Sequence, residues 1–374
     1  MSALLEAFDR QITWCSQPSP FSSRVLSRSR HWLVADEGAH AALAAVDADP
    51  LAAAVALRWL AGLHHLALRG LQPWVDLWPP MPGPVTDDAL DAAITLAWQT
   101  QQPALRKALA LPPQTNEVQR SAALLPGLLH VATLTPLPLA LLEIGASAGL
   151  NLWCDQYRHE HAGPPQERIP ACAARRHSSD HGAWAWGDPA STLTLRSEWL
   201  GAAPRVPSTP PLFIASRAGC DAMPIDIRQP GEDLRLTSFI WPDQPERLAR
   251  LRAAQAIAAA CMARSGLRVQ AAYAADFVRQ HLQQRMPQQT LVLMHSVVWQ
   301  YIPRSEQDDI RAQMDAAGSA ATADAPLAWL RFEPPALDLA MELRCRFWPG
   351  GDDRLLARCH PHGARIEWLA GASA

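Results

Sequence analysis

The residues best suited to chemistry lie at the end of an apolar run, Leu139–Ile144. Glu143 is the acid in this run, and small residues follow it at alternate positions: Gly145, Ser147 and Gly149. Small residues let the backbone turn sharply and approach a ligand closely, and the start of a following helix would offer unpaired N–H groups. A carboxylate can also receive an ammonium group. The spacing therefore predicts a strand and turn that hold the nucleoside end of a small-molecule cofactor.

This segment resembles the first motif of class I S-adenosylmethionine-dependent methyltransferases, in which an acid on a strand precedes three alternating glycines. The sequence departs from that motif at the middle glycine, where it has Ser147. The resemblance implies a Rossmann-like sheet and S-adenosylmethionine as the cofactor. The residues that it places around this cofactor are Glu143, Gly145, Ala146, Ser147, Gly149 and Asn151.

Two other interpretations of the segment stay open. Glycine-rich turns between a strand and a helix also occur for tight packing alone. The letters GASAG also fit the Gly-x-Ser-x-Gly elbow of α/β-hydrolases, with Ser147 as the nucleophile. Asp276 would then be the acid, and His295 or His360 the base. The long helical stretch before the segment argues against the elbow, as does the charge of Glu143, which would repel an oxyanion.

Acids that could bind the ribose of the cofactor are less well placed. The methyltransferase layout has such an acid after its second strand, but residues 214–217 contain none, so Asp221 or Asp226 is the candidate. Both acids flank Pro224, and turn hydrogen bonding is the alternative role. Asp276 follows the third predicted strand, where it would either contact the cofactor or act as the N-cap of the next helix.

Candidate acceptor-side residues follow the fourth predicted strand, where class I enzymes present groups to the methyl acceptor. Methyl transfer needs an aligned, water-poor pocket, and a base only if the acceptor must lose a proton. His295 is the candidate base, because imidazole titrates near neutral pH. Tyr301 or Trp299 would cover the sulfonium or shape the acceptor site. The alternative is that Trp299 and Tyr301 belong to the core and that His295 is a structural histidine with satisfied hydrogen bonds.

A helix predicted to begin at Thr115 precedes the glycine segment. Asn116, Glu117 and Arg120 at its start are candidates to close over the methionine end of the cofactor. The ordinary chemistry of a helix start explains Asn116 and Glu117 as well.

The elements that must position these residues change in character after Pro138, where short apolar segments alternate with helical ones. The predicted strands are residues 139–144, 211–215, 267–273, 290–295, 327–332, 341–348 and 355–360. The predicted helices between them are residues 149–159, 245–264, 276–285 and 305–316. Gly350 and Gly351 join the last strands in a hairpin at the sheet edge. The fold class is therefore α/β, with a Rossmann-like, seven-stranded, mostly parallel sheet and an antiparallel C-terminal hairpin.

An all-helical N-terminal domain or cap, residues 1–114, precedes the Rossmann-like domain, residues 115–374. Apolar residues at three- and four-residue spacing predict helices at 39–48, 50–69 and 87–109. The segment at about 160–210 is too long for a plain connection, so we expect an insertion with its own hairpin. Its tryptophans Trp184, Trp186 and Trp199 are candidates for part of a substrate pocket, with core packing as the alternative.

Composition excludes several classes of partner. The chain has 374 residues, is 49% hydrophobic and has a formal net charge of -3. It has no run of like charges that would track phosphates, so no nucleic acid is expected. The seven scattered cysteines fit a reducing compartment, and we expect a cytoplasmic protein. Prolines interrupt the most apolar stretch, residues 122–144, so no membrane span is expected, and no histidine or cysteine spacing suits a common metal site.

Several blocks together resemble an uncharacterised bacterial family, the domain-of-unknown-function family 2332. These blocks are TNEVQRSAALLP (115–126), LEIGASAGLN (142–151), WGDPA (186–190), GCDAMPID (219–226), WPDQP (241–245), HSVVWQY (295–301) and HPHG (360–363). This resemblance covers most of the chain and implies no reaction.

We therefore predict an enzyme that transfers a methyl group from S-adenosylmethionine to a small molecule. The alternative is a catalytically silent Rossmann-like module that binds a ligand or a protein, and the serine hydrolase is a third hypothesis. The methyl acceptor and the oligomeric state stay open.

Overall fold

The structure is a computed structural model that describes residues 2–80, 83–162, 184–205, 212–336 and 340–370. Contacts within the chain divide it into two compact units. The first unit is Met1–Thr115 with Ile227–Arg252, and the second is Asn116–Asp226 with Ala253–Ala374. The segment that joins the first unit from the middle of the chain was not expected from the sequence.

The α-helices in chain order are α1 (Ala3–Cys15), α2 (Pro20–Ala35), α3 (Glu37–Ala44), α4 (Val55–Leu68), α5 (Trp74–Leu77), α6 (Asp87–Thr100), α7 (Gln102–Ala110), α8 (Ser121–Leu134), α9 (Glu232–Thr237), α10 (Pro245–Ser265), α11 (Ala274–Gln283) and α12 (Arg304–Ser319). Short 3-10 helices lie at Val118–Arg120, Asn151–Gln156 and Trp299–Tyr301. The strands are β1 (Leu139–Ile144), β2 (Arg158–Ala162), β3 (Trp184–Trp186), β4 (Thr194–Leu200), β5 (Ile214–Asp221), β6 (Gln270–Ala271), β7 (Thr290–Ser296), β8 (Leu327–Glu333), β9 (Met341–Trp348), β10 (Asp352–Cys359) and β11 (Arg365–Trp368).

The described elements of the first unit are helices. Side chains that accept a hydrogen bond from the first turn precede several of them, namely Ser2, Ser19, Asp36 and Thr86. Trp59 is fully buried in the core, and its ring stacks on Trp32 at 5.4 Å. The helix predicted at 87–109 is instead two helices, because Pro103 lies in the first turn of α7, where it lacks an N–H for a continuing helix.

The strands described in the second unit form one mixed, mostly parallel sheet. Its order is β3-β2-β4-β11-β10-β9-β8-β7-β1-β5-β6. The strands β6, β5, β1, β7 and β8 are parallel, and β9 and β10 run antiparallel to their neighbours. The α/β class and the helical N-terminal region are thus confirmed.

The predicted count of seven strands is wrong, because the described sheet has eleven. Part of the segment predicted as an insertion forms β2, β3 and β4, and β4 pairs with β11, so these strands extend the main sheet. The β9–β10 hairpin is antiparallel as predicted, but it does not lie at the edge. Pairing with β11 covers the backbone groups that β10 would otherwise expose.

The prediction of a helix at residues 149–159 is also wrong. The segment is a 3-10 helix, Asn151–Gln156, with a non-helical residue inside it at Trp153, and β2 begins at Arg158. The hydroxyl of Tyr157 donates to the carbonyl of Leu150 at 2.6 Å, which ties the two ends of this short segment together. The chain therefore connects β1 to β2, which lies near the other end of the strand order, without a crossover helix.

Different helices cover the two faces of the sheet. Gly127 in α8 lies against Leu330, where an added Cβ would be 2.7 Å from Cδ1 of that leucine. The preceding residue, Trp329, packs in a core with Phe277 of α11 and Met314 of α12. Because side chains alternate along a strand, α8 covers one face of the sheet, and α11 and α12 cover the other.

The described cysteines are free and buried, and Cys172 lies outside the described residues. Among the described helices, none is long and apolar enough to cross a membrane.

Buried histidines make the stability of the fold depend on pH. Burial lowers the pKa of His64 and of His159 from 6.5 to about 4 in each case. The folded state holds both rings neutral, so their contribution to stability is complete above pH 6.5 and is lost as the pH falls toward 4. Each ring accounts for about 3 kcal/mol over this window.

We expect His159→Gln to lose less stability than the wild type between pH 7 and pH 4.5, because glutamine can still donate to the carbonyl of Cys154 without titrating. The measurement is the free energy of unfolding from urea denaturation at each pH. The exposed His31→Gln is the control and should follow the wild type. Parallel curves for all three proteins would contradict the prediction.

Candidate functional site

Glu143 lies in β1, between β5 and β7, and its side chain is buried. Burial raises the pKa of this carboxyl well above its usual range, and the charge of Asp221 raises it further. The charge of Arg120 and a hydrogen bond from the Asn151 amide act in the opposite direction. The Ser121 hydroxyl donates to Oδ1 of Asn151 at 2.8 Å, which leaves the amide nitrogen for Glu143. The Oε2 atom of Glu143 has no hydrogen-bond partner among the described residues.

The turn after β1 has the conformation that its small residues predict. Gly145 and Gly149 have φ values of 65° and 72°, and Ser147 has a φ of 55°. This left-handed region is unfavourable for a residue with a Cβ, so Ser147 stores backbone strain. Its hydroxyl is also buried and has no partner within the described part of the chain. Strain and an unpaired polar atom thus coincide at Ser147, where the methyltransferase motif has glycine.

Side chains from two other segments bond the amides of this turn. The N–H of Ser147 donates to Oδ2 of Asp221 at 2.9 Å. The N–H groups of Ala148 and Leu150 both donate to Oδ1 of Asn116 at 3.2 Å. Asp221 and Asn116 therefore hold the turn from outside.

Backbone carbonyls accept hydrogen bonds from further amides of the turn. The N–H of Ala146 donates to the carbonyl of Cys220 at 2.9 Å, and that of Gly149 donates to the carbonyl of Ala146 at 2.7 Å. The amides that the sequence assigned to a cofactor thus have partners within the protein.

Apolar side chains pack against both glycines of the turn. A Cβ added to Gly145 would lie 2.3 Å from Cγ2 of Val298, in the segment after β7. A Cβ added to Gly149 would lie 2.9 Å from Cγ2 of Val269 and 3.1 Å from Cε of Met262. In this structure both positions therefore require glycine for steric reasons as well as for their φ angles.

His295 forms a dyad with Glu333, a residue that the sequence analysis missed. Nδ1 of the ring lies 2.7 Å from Oε1 of Glu333, which also accepts from the amides of Val298 at 3.1 Å and Trp299 at 3.3 Å. The His295 side chain is 1% exposed, and its Nε2 has no partner among the described residues. With Nδ1–H donated to the carboxylate, Nε2 is the atom that can accept a proton. The signal in the sequence was an acid at the end of the strand next to that of His295.

A cavity of about 300 Å³ adjoins this dyad. Its lining includes His295, Trp299, Glu333, Arg311, Arg331 and Arg344. The Trp299 ring stacks on that of His295 at 5.0 Å, and the Arg311 guanidinium lies 5.1 Å from the centroid of the same tryptophan. The cavity can hold a small molecule beside a base and an aromatic wall.

Glu143 and His295 lie near the carboxyl ends of two adjacent strands, but their side chains point to opposite faces of the sheet. Glu143 pairs in register with Met294, so their side chains share one face and that of His295 points to the other. Val298 links the two places, because its side chain packs on Gly145 while its amide donates to Glu333. The sequence predicted one site, and the structure has two groups of residues joined by the segment after β7.

The other predicted residues lie apart from these two groups. Tyr301 is 53% exposed. Asp226 lies 3.8 Å from a guanidinium nitrogen of Arg268. Asp276 forms an ion pair with Arg279 at 2.6 Å on the surface of α11.

The prediction of Asp276 as an N-cap is wrong, because α11 begins at Ala274 with Tyr273 at the cap position. A side chain from another helix accepts a hydrogen bond from the first turn instead. Oε1 of Glu306 accepts from the N–H of Ala275 at 3.0 Å.

The described residues do not assemble the hydrolase triad. Ser147 Oγ has no partner among them, His295 bonds Glu333, and Asp276 bonds Arg279. They also contain no group of three or more His, Cys, Asp or Glu side chains that could hold a metal ion. His177 and His181, which belong to the densest histidine group in the sequence, lie outside the described residues.

Comparison with known families identifies the chain. Residues 5–368 match the family described as "Uncharacterized protein conserved in bacteria (DUF2332)". The chain belongs to the DUF2332 family. The match confirms the family resemblance of the sequence over nearly its whole length. No curated protein and no solved structure matched this DUF2332 chain.

The contact between Gly145 and Val298 can be tested by substitution in the DUF2332 chain. We expect Gly145→Ala to lower the free energy of unfolding by about 2 to 4 kcal/mol, from left-handed strain and overlap with Val298. Gly266→Ala is the matched control, because Gly266 has a φ of 72° but no atom of the described residues lies within 4 Å of an added Cβ. It should cost about 1 kcal/mol.

A double-mutant cycle separates overlap from strain. In a Val298→Gly background, which also removes the Cβ that lies 2.6 Å from the added one, the additional cost of Gly145→Ala should fall to about that of Gly266→Ala. Urea denaturation of the four proteins gives the values. An equal cost of Gly145→Ala in both backgrounds would show that Val298 does not cover this glycine.

Proposed function

We propose that this protein binds S-adenosylmethionine at the carboxyl ends of β1 and β7 and transfers its methyl group to a small molecule. The order β6-β5-β1-β7-β8 supports a Rossmann-like core, since it is the doubly wound order in which successive strands are added first on one side of β1 and then on the other. Ligands of such sheets bind where the order reverses, which here lies between β1 and β7.

The observation that carries the proposal is the Oε2 atom of Glu143, which has no partner among the described residues and lies at this point of the sheet. A buried carboxyl oxygen without a donor is unfavourable, and buried polar atoms in folded proteins rarely lack a partner. The ammonium group of an adenosyl amino acid would supply the missing donor. The Ser147 hydroxyl, which is also buried and has no partner in the part of the chain that the structure describes, would give a second polar contact to the same ligand.

The residues of the turn fit this ligand through side chains and not through free amides. Glu143 and Ser147 would hold the amino-acid end, and Asn116 and Asp221 keep the turn in place. S-adenosylmethionine, when bound, supplies a methyl group on a sulfonium for in-line displacement. The segment 297–299 would have to move aside, because Val298 packs on Gly145.

The acid–base part of the proposal belongs to the His295–Glu333 dyad. Glu333 orients the ring so that Nε2 can accept the proton that an acceptor hydroxyl or amine loses. His295 lies on the face opposite Glu143, and Val298 connects the two groups, because its side chain packs on Gly145 and its amide donates to Glu333. Tyr301 lies two residues after the segment 297–299 and would line the acceptor side.

A second candidate function is a Rossmann-like module that binds a ligand without transferring a group. It is supported by the turn amides, which already have protein partners, and by Val298 against Gly145. Binding of S-adenosylmethionine without release of S-adenosylhomocysteine in the presence of a small-molecule extract of bacterial cells would favour this candidate.

Isothermal titration of the full chain with S-adenosylmethionine and S-adenosylhomocysteine tests the proposal. We expect dissociation constants below about 1 mM for the wild type, and a loss of affinity of about ten-fold or more for Glu143→Gln, because glutamine cannot ionise to pair with the ammonium group. Glutamine is isosteric and uncharged, so the fold should remain.

The matched control is Glu198→Gln, an exposed carboxylate of β4 in the same unit, which should bind like the wild type. Absence of binding to the wild-type protein would overturn the proposal. Equal affinity of the wild type and Glu143→Gln would remove Glu143 from the site.

A further inference from the structure

The first unit contains a cavity of about 350 Å³ that methyl transfer does not use. It is formed by α4, α7, α9 and the residues next to α9, all within that unit. Apolar side chains supply much of its surface, namely Ala61, Ala104, Ala108, Leu111, Leu234 and Phe239. A cavity of this size with an apolar surface is typical of sites for small organic molecules.

Cationic side chains line the same cavity. They are Arg69, Lys107 and Arg235, and Lys107 is the single lysine of the chain. Arg69 and Lys107 form no ion pair with any described residue. The acid in the lining is Glu232, whose Oε2 accepts from Nη1 of Arg235 at 3.0 Å. Three cations therefore face one carboxylate.

Arg235 has hydrogen-bonding capacity that the described protein does not use. Its Nε and Nη2 atoms are buried and have no partner among the described residues, and Glu232 holds the guanidinium by the remaining nitrogen. Buried donors of a charged group rarely remain unpaired, because each loses its hydration without a replacement. An anion in the cavity would supply the missing acceptor.

The positions of the cations explain why they can lie together in the absence of a ligand. Lys107 and Arg235 lie in the last turns of α7 and α9, and Arg69 follows the last residue of α4. The carboxyl end of a helix favours positive charge. Burial lowers the pKa of the neighbouring His65, and the positive charges of Arg69 and Lys107 lower it further.

We propose that this cavity binds a small amphipathic anion. Its carboxylate or phosphate group would bond to Arg235 and lie between Arg69 and Lys107, and its apolar part would rest on the alanine and leucine side chains. This site is separate from the Glu143 turn and does not depend on the proposed methyl transfer.

Isothermal titration of the full chain with hexanoate, hexyl phosphate and hexanol tests the site. We expect at least one of the two anions to bind with a dissociation constant below about 1 mM, and the neutral alcohol to bind at least about ten-fold more weakly, because it lacks the charge-assisted hydrogen bonds. The two anions distinguish a carboxylate ligand from a phosphate ligand. If hexanol binds as tightly as the anions, or if no probe binds, the proposal is overturned.

Variants locate the binding. Lys107→Met and Arg69→Met should each weaken the anion by about five-fold or more, since each removes one charge from the cavity. Arg106→Met is the matched control on the same helix, because Arg106 lies over the ring of Trp98 and not in the cavity. Equal losses in Lys107→Met and Arg106→Met would overturn the assignment.

Titration of Lys107→Met with S-adenosylmethionine keeps the two proposals distinguishable. We expect wild-type affinity for that ligand. A parallel loss of both ligands would show that the cavity is not an independent site.

Discussion

The carboxylate of Glu333 determines how the segment after β7 lies. One of its oxygens accepts from the His295 ring and from the amides of Val298 and Trp299. A charged acceptor with three donors holds these groups more firmly than neutral hydrogen bonds would. The orientation of the imidazole, the stacking of Trp299 on it and the contact of Val298 with Gly145 all depend on this interaction.

The turn after β1 shows how one short sequence can serve binding or folding. Its left-handed residues bring several N–H groups together, which would suit a phosphate or a carboxylate. In this protein Asp221 and Asn116 take those donors, so a ligand of the turn must be recognised by side chains. Glu143 and Ser147 retain unpaired atoms among the described residues, and for this reason the proposed cofactor site is centred on them.

The two proposed sites have different electrostatic character. Around Glu143 a buried acid lies next to a second acid, Asp221, and burial keeps its pKa high. The cavity of the first unit has an excess of cations next to apolar side chains. A cationic end of a ligand is complementary to the first and an anionic end to the second, so the two sites select different molecules.

Much of the fold could be predicted because it is encoded locally. The strands β1 and β9 have the predicted bounds, and β7 and β8 are each one residue longer, because continuous or alternating apolar residues identify strands. The sequence predicted a hairpin within residues 160–210, and β2 and β3 form an antiparallel pair. The bounds of β2, β3 and β4 were not predicted, since β2 pairs with β4 and β4 pairs with β11, which is remote in the sequence.

The sequence by itself determined the family, the α/β class, the left-handed turn and the presence of Glu143 and His295 near strand ends. Only the tertiary structure decided that these two side chains lie on opposite faces and that Glu333 is the partner of His295. It also decided that Asp221 and Asn116 accept hydrogen bonds from the amides of the turn. Local conformation follows from neighbouring residues. Strand register and hydrogen bonds between distant segments depend on how the whole sheet packs.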